Sequence, residues 1–525
     1  MQQVNEFKLP PDNVLPKVDP EAQRYGYNCN PLENRQNLEW IGKLPKPSSL
    51  AVKQSIIGIG YETLDRDTFD SSLTFGPMAA SGVKWARMQT GWMKCEKERG
   101  VYDFAWLDKD VDALLAIGIQ PWLSVSFGNP LYTPVEGYET WAEDHPGKEV
   151  PHHVRGYVGE VPMYHGPEAV RGWENYLDAM AKHFAGRVTH YEIWNEPNTA
   201  PYGFWQTRGR YADLDRSGFE AACARDYVEL VKISSSAIRK ADPTAKIIGG
   251  SISLTLDACF YIRNLVTHGI IEHIDILSFH PYGDNPDLGL AERYNNLRYE
   301  LDSHGGAHID IWQGEAGGKA LDLRSQYAQA KYVTRRYVAD FRIGCTMSSY
   351  FMVIDKRAYD TGRVCGRGVL ECDGKPKLAY QALQSMGWLF DSAERAEDLY
   401  IRINSFGTPL MSNLRLTSMV TSKFRRKGIP VFSWHVPEKP EMSIEPGQID
   451  VQLWIERDEQ LANPVLIDPI RGNVYRIKEI DSKTRGFRFK PIGFDENVAG
   501  FVTLYNLPVT DYPLFITDQA GLDNN

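Results

Sequence analysis

From about residue 55 the chain repeats one unit eight times: a short β-branched or apolar run, a loop, then a longer segment whose apolar residues recur with helical spacing. Parallel strands answer this pattern, because parallel neighbours need a long crossover, usually a helix, to return the chain to the same edge. The strand runs are SIIGIGY (55–61), VKWARM (83–88), IQPWLSVSF (119–127), THYEIW (189–194), AKIIGGSI (245–252), IDILSFH (274–280), HIDIWQG (308–314) and TMSSYFMVI (346–354). The clearest helical segments are LDKDVDALLAIG, AVRGWENYLDAMAKHFAG, ARDYVELVKISSSAIRKADP and SQYAQAKYVTRRYVADFRIG, several ending at Gly or near Pro, where helices stop. Eight units over residues 55–390 predict an α/β chain folded as a (β/α)8 TIM barrel with insertions in its loops. The rival, a doubly wound open sheet, lacks a supporting G-x-G-x-x-G turn.

Beyond about residue 390 the texture changes to short alternating runs (DLYIRINSF, IPVFSWHV, IDVQLWIER, NPVLIDPI, NVYRI, FVTLYNL) separated by Pro, Gly and Asn. This predicts a C-terminal antiparallel β-sandwich domain over 391–525 that braces the barrel. Residues 1–54, with LPKPSS at 44–49, are expected to form an arm that packs on the sandwich or barrel or lends the sandwich a strand.

Charge narrows the partners. The 58 basic and 68 acidic residues leave a net charge of −10, which opposes a polyanion, excludes nucleic acid as the expected partner and favours a neutral or weakly cationic ligand. The 13 Trp and 27 Tyr suit stacking on the apolar faces of sugar rings, although a large barrel also buries many aromatics. Seven Cys, at 29, 95, 223, 259, 345, 365 and 372, form no C-x-x-C pair and leave one over, as in a reduced protein. The first residues lack the basic start and apolar run of a signal peptide, and no 18-residue apolar stretch occurs, so a cytoplasmic location without a membrane partner is expected.

In such a barrel, chemistry sits at the C-terminal ends of the strands. THYEIWNEPN places Glu196 after the fourth strand, and HIDIWQGEAGG places Glu315 at the end of the seventh. Strands four and seven face each other across the mouth, so the two carboxylates can flank a ligand. That arrangement suits glycosidic bond cleavage, with Glu196 as general acid/base and Glu315 as nucleophile. A retaining enzyme needs the two carboxyl groups about 5–5.5 Å apart, an inverting one about 6.5–9.5 Å.

Over residues 55–390 the sequence resembles the retaining barrel glycosidases of clan A, which carry Asn-Glu after strand four and Glu after strand seven. WNEPN at 194–198, with FW at 204–205, is most similar to glycoside hydrolase family 39. The resemblance implies that Asn195 bonds the sugar 2-hydroxyl, that Arg87 in KWARMQ holds the nucleophile ionised, and that His280 and Tyr282 in SFHPYG share its rim, the tyrosine touching the nucleophile. QGEAG departs from the tripeptide usual around the family nucleophile. The Trp that clan members place after strand eight is also missing, leaving Tyr350 or Phe351 as the floor of the sugar site.

Further expected sugar-binding candidates are Glu62 in GIGYETLD, equally readable as a helix-start or salt-bridge residue, Asn129 in SFGNP, where Asn before Pro favours a turn over a hydroxyl ligand, and the aromatics Trp122 and Phe351. The long loop from Gly128 to Glu168, with Tyr132, Tyr138, Trp141, His145, His152, His153, Tyr157, Tyr164 and His165, is expected to wall a pocket and favour exo-acting cleavage. No H-E-x-x-H spacing points to a metal, and no cofactor is expected. The predicted activity is retaining, exo-acting hydrolysis of terminal sugars from oligosaccharides or small glycosides, β-xylosidase-like or related. A transglycosidase or a non-catalytic glycan-binding barrel is the alternative. The sugar (xylose, arabinose, galactose, glucose or a uronic acid) and self-association as a homo-oligomer stay open.

Overall fold

The computed structural model describes residues 32–33, 35–134, 160–199, 204, 211–254, 258–318, 326–357, 364–404, 419–437, 450–456, 461–478, 480–481 and 501–522. After a first strand, β1 (Leu38–Lys43), eight strands close into a barrel in chain order. They are β2 (Ile57–Gly60), β3 (Trp85–Gln89), β4 (Gln120–Val125), β5 (His190–Ile193), β6 (Lys246–Ser253), β7 (Ile276–His280), β8 (Asp310–Ala316) and β9 (Met347–Tyr350). Every neighbouring pair is parallel, and β9 closes onto β2 through Ile57↔Ser348 and Ile59↔Tyr350. Each strand overlaps one of the eight sequence runs, with β3, β6 and β8 continuing one or two residues beyond the run's end.

A helix follows each strand: α1 (Ser72–Ala79), α2 (Ala105–Ala116), α3 (Pro167–Phe184), α4 (Arg216–Ala241), α5 (Ala258–Thr267), α6 (Leu290–Ser303), α7 (Gln326–Ile343) and α8 (Leu378–Leu389). In α3 the buried residues Ala169, Trp173, Tyr176, Leu177, Met180, Ala181 and Phe184 fall on one face, and Pro167 starts the helix where its missing N–H costs nothing. Burying each large side chain of that face is worth about 1.5–3 kcal/mol. At the start of α4, the Asp215 carboxylate accepts the Gly218 N–H at 2.7 Å, satisfying one donor the helix itself cannot.

The barrel interior is plugged by Trp122, Ile248, Ile276, Trp312 and Met347, against which Trp85 packs. The Trp122 and Trp312 rings meet edge-on, 5.6 Å between centroids. Trp122 is therefore a core residue and not the sugar-binding aromatic expected from the sequence. Its side chain points inward, as period-two alternation requires, but into this packed layer.

β1 pairs antiparallel with β18 (Asn473–Ile477) and so joins a seven-stranded sheet with β17 (Pro464–Asp468), β21 (Leu514–Asp518), β15 (Ile429–His435), β14 (Val420–Arg426) and β12 (Ala393–Arg395). β13 (Ile401–Asn404), β16 (Asp450–Glu456), β20 (Phe501–Pro508) and β19 (Ile480–Asp481) form a second antiparallel sheet. Buried ion pairs tie sandwich to barrel. Lys331 on α7 meets Asp511 at 2.5 Å, and Arg335, one turn on, meets Asp287 at 2.6 Å in the segment between β7 and α6. His435 of β15 lies 3.4 Å from the other Asp287 oxygen. No helix of the described residues is long and apolar enough to cross a membrane.

Candidate active site

The site is built around one fully buried guanidinium. Arg87 sits in the middle of β3, pointing into the barrel. Its Nε donates to Glu192 at 2.6 Å, its Nη1 to Glu315 at 2.5 Å and to Glu62 at 3.3 Å, and its Nη2 to Asn195 at 2.9 Å. Arg87 thus collects four of the residues that matter from three different strand ends, those of β2, β5 and β8.

Glu196 reaches the same space through a tight turn after β5. Trp194 and Glu196 both adopt the left-handed conformation, at φ 69° and 41°, which costs non-glycine residues on the order of 1–3 kcal/mol each. Tertiary bonds hold the turn: Trp194 N–H donates to Val125 O and Glu196 N–H to Ser251 O, both at 3.0 Å. The buried Trp194 ring is wedged among Phe127, Trp173 and Phe204. The result turns the Asn195 amide toward Arg87 and the Glu196 carboxylate toward the mouth. Ser251 sits in a bulge of β6 that Gly250 makes possible. Gly250 has φ 90°, and a Cβ there would lie 2.7 Å from Ser278 O.

β8 supplies Glu315. The small residues of QGEAG have a steric cause: a Cβ on Gly314 would collide with the Ser278 hydroxyl, and one on Gly317 with Phe351 O. β7 ends in His280, whose Nδ1 lies 3.1 Å from Glu196 Oε1 and 4.0 Å from Glu315 Oε2. The Tyr282 hydroxyl donates to Glu315 Oε1 at 2.5 Å. Carboxylate oxygens of Glu196 and Glu315 and a ring nitrogen of His280 all lie within 4.8 Å of one another. A cation could in principle bind such a trio, but both Glu315 oxygens already accept strong donors, Oε1 from Tyr282 and Oε2 from Arg87.

Electrostatics separates the carboxylates. Burial alone would raise the Glu315 pKa, but the positive character of His280 and Arg87 and the Tyr282 hydrogen bond overcome it and hold the group below the usual carboxylate range. Glu192 is likewise lowered, Arg87 overcoming its burial. Glu62 goes the other way: burial and the neighbouring Glu315 charge push it up to about 8, against a weaker pull from Arg87. Its Oε2 is buried without a hydrogen-bond partner among the described residues.

Glu196, Glu315, Asn195, Arg87, His280, Tyr282 and Glu62 are thus brought together. Asn129 is not: its amide donates to Glu96 O at 2.8 Å and accepts from Leu131 N–H at 3.0 Å, holding the turn after β4. Of the two floor candidates, the Tyr350 hydroxyl donates to Gly318 O and accepts from Gln329 against α7, whereas the Phe351 ring lies near Arg367 and Tyr282's neighbourhood at the mouth. In the long loop, Tyr132 stacks on Trp92, Tyr164 bonds Asp226 and His165 bonds Glu160, while Tyr138, Trp141, His145, His152, His153 and Tyr157 lie outside the described residues.

Three contributors escaped the sequence reading. Glu192, four residues before Glu196, is signalled only by a charge inside an otherwise apolar strand run, HYEI. Lys356 and Arg367 come from the segment after β9, where basic residues in a polar loop carry no distinguishing pattern. Burial and the nearby Arg66 cation lower the Lys356 pKa to about 8.

A parallel (β/α)8 barrel whose mouth pairs a carboxylate after its fourth strand with another at the end of its seventh defines a glycosidase barrel of clan A. Residues 63–296 match the family model of glycosyl hydrolases family 39. A stretch of 189 residues, 34% of this chain, is 25% identical to a β-xylosidase of Caldicellulosiruptor saccharolyticus and covers 31% of that relative, so the match spans about a third of its length. In three dimensions the chain is similar to a family 39 glycoside hydrolase from Bacteroides cellulosilyticus WH2, with TM-score 0.60, 18% identity, and 91% of this chain and 83% of that one covered. It is also similar to a family 39 β-xylosidase from Caulobacter crescentus, with TM-score 0.51, 14% identity, and coverages of 91% and 97%. The family 39 match thus covers a little under half of the chain and lies within the barrel.

Proposed function

We propose that this protein is a retaining, exo-acting glycoside hydrolase that removes terminal sugars from oligosaccharides or small glycosides, of the β-xylosidase type or related to it. The observation that carries the reading is the spacing of Glu196 and Glu315, whose oxygens come within 4.8 Å, on the retaining side of the range and too close for an inverting water between them. In the first step Glu315, ionised beside Arg87 and Tyr282, attacks the anomeric carbon while Glu196 gives its proton to the departing glycosidic oxygen. In the second, Glu196 takes a proton from water, the water oxygen bonds the anomeric carbon, and the ester to Glu315 breaks. His280, in contact with Glu196, orients the acid/base, and Asn195, fixed by Arg87, bonds the sugar 2-hydroxyl.

In this reading residues 55–390 form the catalytic barrel, 391–525 a bracing sandwich, and 1–54 an arm contributing to it. The exo mode rests on the length of the loop 128–168, expected from the sequence to wall a pocket, so trimming its tip should change chain-length preference. A cytoplasmic location is supported by the six described cysteines, none of which is bridged to another described cysteine.

The test is turnover of a panel of aryl glycosides by wild type, Glu315→Ala and Glu196→Ala. Glu315→Ala should lose activity on the order of 10⁵-fold, and azide should restore it with products of inverted anomeric configuration. Glu196→Ala should lose about 10²–10⁴-fold, with azide-rescued products that keep the configuration. Azide products with these configurations exchanged would reverse the roles.

A further inference from the structure

His280 and Ser278 alternate along β7, so their side chains share the face that lines the barrel, where Glu192 of β5 and Gly314 of β8 meet them. All three polar side chains are buried. A Cβ built on Gly314 would collide with Ser278 Oγ and stand 3.3 Å from His280 Nε2 and 3.4 Å from Glu192 Oε1. These three atoms therefore gather around one small space that only glycine leaves open. Among the described residues none of the three has a well-formed hydrogen bond, although each is shut off from solvent. The far ends of the two larger side chains are engaged: Glu192 Oε2 accepts from Arg87 at 2.6 Å, and His280 Nδ1 faces Glu196 Oε1 at 3.1 Å.

A buried polar atom without a partner costs on the order of 1–3 kcal/mol, and a hydroxyl can turn its hydrogen toward whichever acceptor needs it. Here the acceptor is an ionised carboxylate. Burial would raise Glu192, but Arg87, then His280 and the Ser251 hydroxyl, hold it below the usual carboxylate range. Toward such an acceptor an imidazole presents its N–H and not its lone pair, because two lone pairs facing each other in a dry space repel. The hydrogen of a neutral His280 ring therefore sits on Nε2, and Nδ1 is left as an acceptor. Two other cations of the mouth act on a different acid. Lys356 in β10 (Lys356–Arg357), which pairs with β11 (Val364–Cys365), and Arg367 just beyond β11 act on Glu315.

We propose that Glu192 and Ser278 are positioning residues for proton transfer: through the space at Gly314 they hold the His280 hydrogen on Nε2, so that Nδ1 faces Glu196 as an acceptor and keeps the catalytic proton between the two. This rests on the glycosidase reading of the site. In the first step that proton passes to the departing glycosidic oxygen, leaving Glu196 ionised and His280 neutral. In the second the pair takes a proton back from the attacking water. Glu192 then serves both catalytic acids, one oxygen steadying Arg87 and through it Glu315, the other steadying His280 and through it Glu196. A rival role for Glu192 is to serve Arg87 alone, with Ser278 only filling space.

The experiment measures kcat/KM on aryl glycosides of the sugar the enzyme accepts, with leaving groups that run from dinitrophenol, which departs without a proton, to phenol, which needs one. Ser278→Ala should cut the phenyl-to-dinitrophenyl ratio by about 10-fold and Glu192→Gln by about 10- to 100-fold, part of the roughly 10²–10⁴-fold that a general acid supplies. Equal losses on both leaving groups, or an unchanged ratio in Ser278→Ala, overturn the inference in favour of service to Arg87. Nitrogen NMR of protein carrying isotopically labelled histidine, with His280→Gln identifying the resonances, reads the ring directly. The wild type should carry a hydrogen on Nε2, and Ser278→Ala and Glu192→Gln should mix the two tautomers. A wild-type ring with its hydrogen on Nδ1 and none on Nε2 overturns the inference even where glycosides are cleaved. If no glycoside is cleaved but the Nε2 hydrogen depends on Glu192 and Ser278, the hydrogen-bonded chain stands without the hydrolase; no turnover and a ring indifferent to both residues removes both.

Discussion

Arg87 in the barrel mouth and Arg335 on α7 are each fully buried and each bonded to a buried carboxylate, but they share their charge differently. Arg335 gives both its Nε and an Nη to one oxygen of Asp287, and His435 approaches the other. Burial opposes ionisation of Asp287, yet His435 and Arg335 hold it well below the usual carboxylate range. Arg87 divides one positive charge among Glu62, Glu192 and Glu315. Glu192 and Glu315 are kept low, and Glu62, with the longest contact, is pushed up to about 8. A junction that only holds two domains together supplies cations to its acid, whereas a reactive site under-supplies them and so keeps acids of different strength within one cluster.

Replacing Arg87 should therefore do the most damage to activity. Arg87→Met is expected to lower kcat/KM by about 10³-fold or more and to move the acid limb of the pH–rate profile upward, because the cation that helps hold Glu315 low is gone. A loss of rate with an unmoved acid limb would mean that Arg87 shapes the site without setting the charge of Glu315.

Arg335→Met should show the opposite profile. Leaving Asp287 buried without its arginine is expected to cost about 3–5 kcal/mol of unfolding free energy in a denaturant titration, with kcat of the folded fraction within a few-fold of wild type. A fall in kcat as steep as that of Arg87→Met would erase the distinction between the two clusters.

The smallest effect concerns Glu62. Its folded pKa is raised from 4.5 to about 8, so its stabilising contribution is complete below about 4.5 and is lost as pH climbs through about 8. Glu62→Gln carries no such slope, and the variant's Tm should gain on wild type as the pH rises from about 5 to about 8. A Tm difference that stays constant with pH would show Glu62 ionised like its two neighbours.

Much of the barrel was legible because its signals are local and repeated: each of the eight runs overlaps one barrel strand. The sandwich was less so. VTSKFRR became β14, burying Ser422, Phe424 and Arg426, although its Lys and Arg hide the alternation. Buried Arg426 is served by Trp388 O at 2.7 Å, a partner on α8 that no local pattern reveals. β1 was invisible as a particular strand because its partner β18 lies more than 400 residues away in the chain.

By itself the sequence determined the barrel, the two acids at opposed strand ends and most of the residues around them, since strand alternation and position along a run fix which side chains face the barrel axis at its C-terminal rim. Only the tertiary structure decided how deep each residue sits and with whom it must share a charge. Trp122 and Arg87 are register partners on β4 and β3, yet one ends in the core plug and the other in the reactive cluster. Lys356 and Arg367 reach the Phe351 ring only through the segment that follows the closing strand β9. Depth, pairing and competition for a buried cation are set by residues distant in sequence, and no local pattern encodes them.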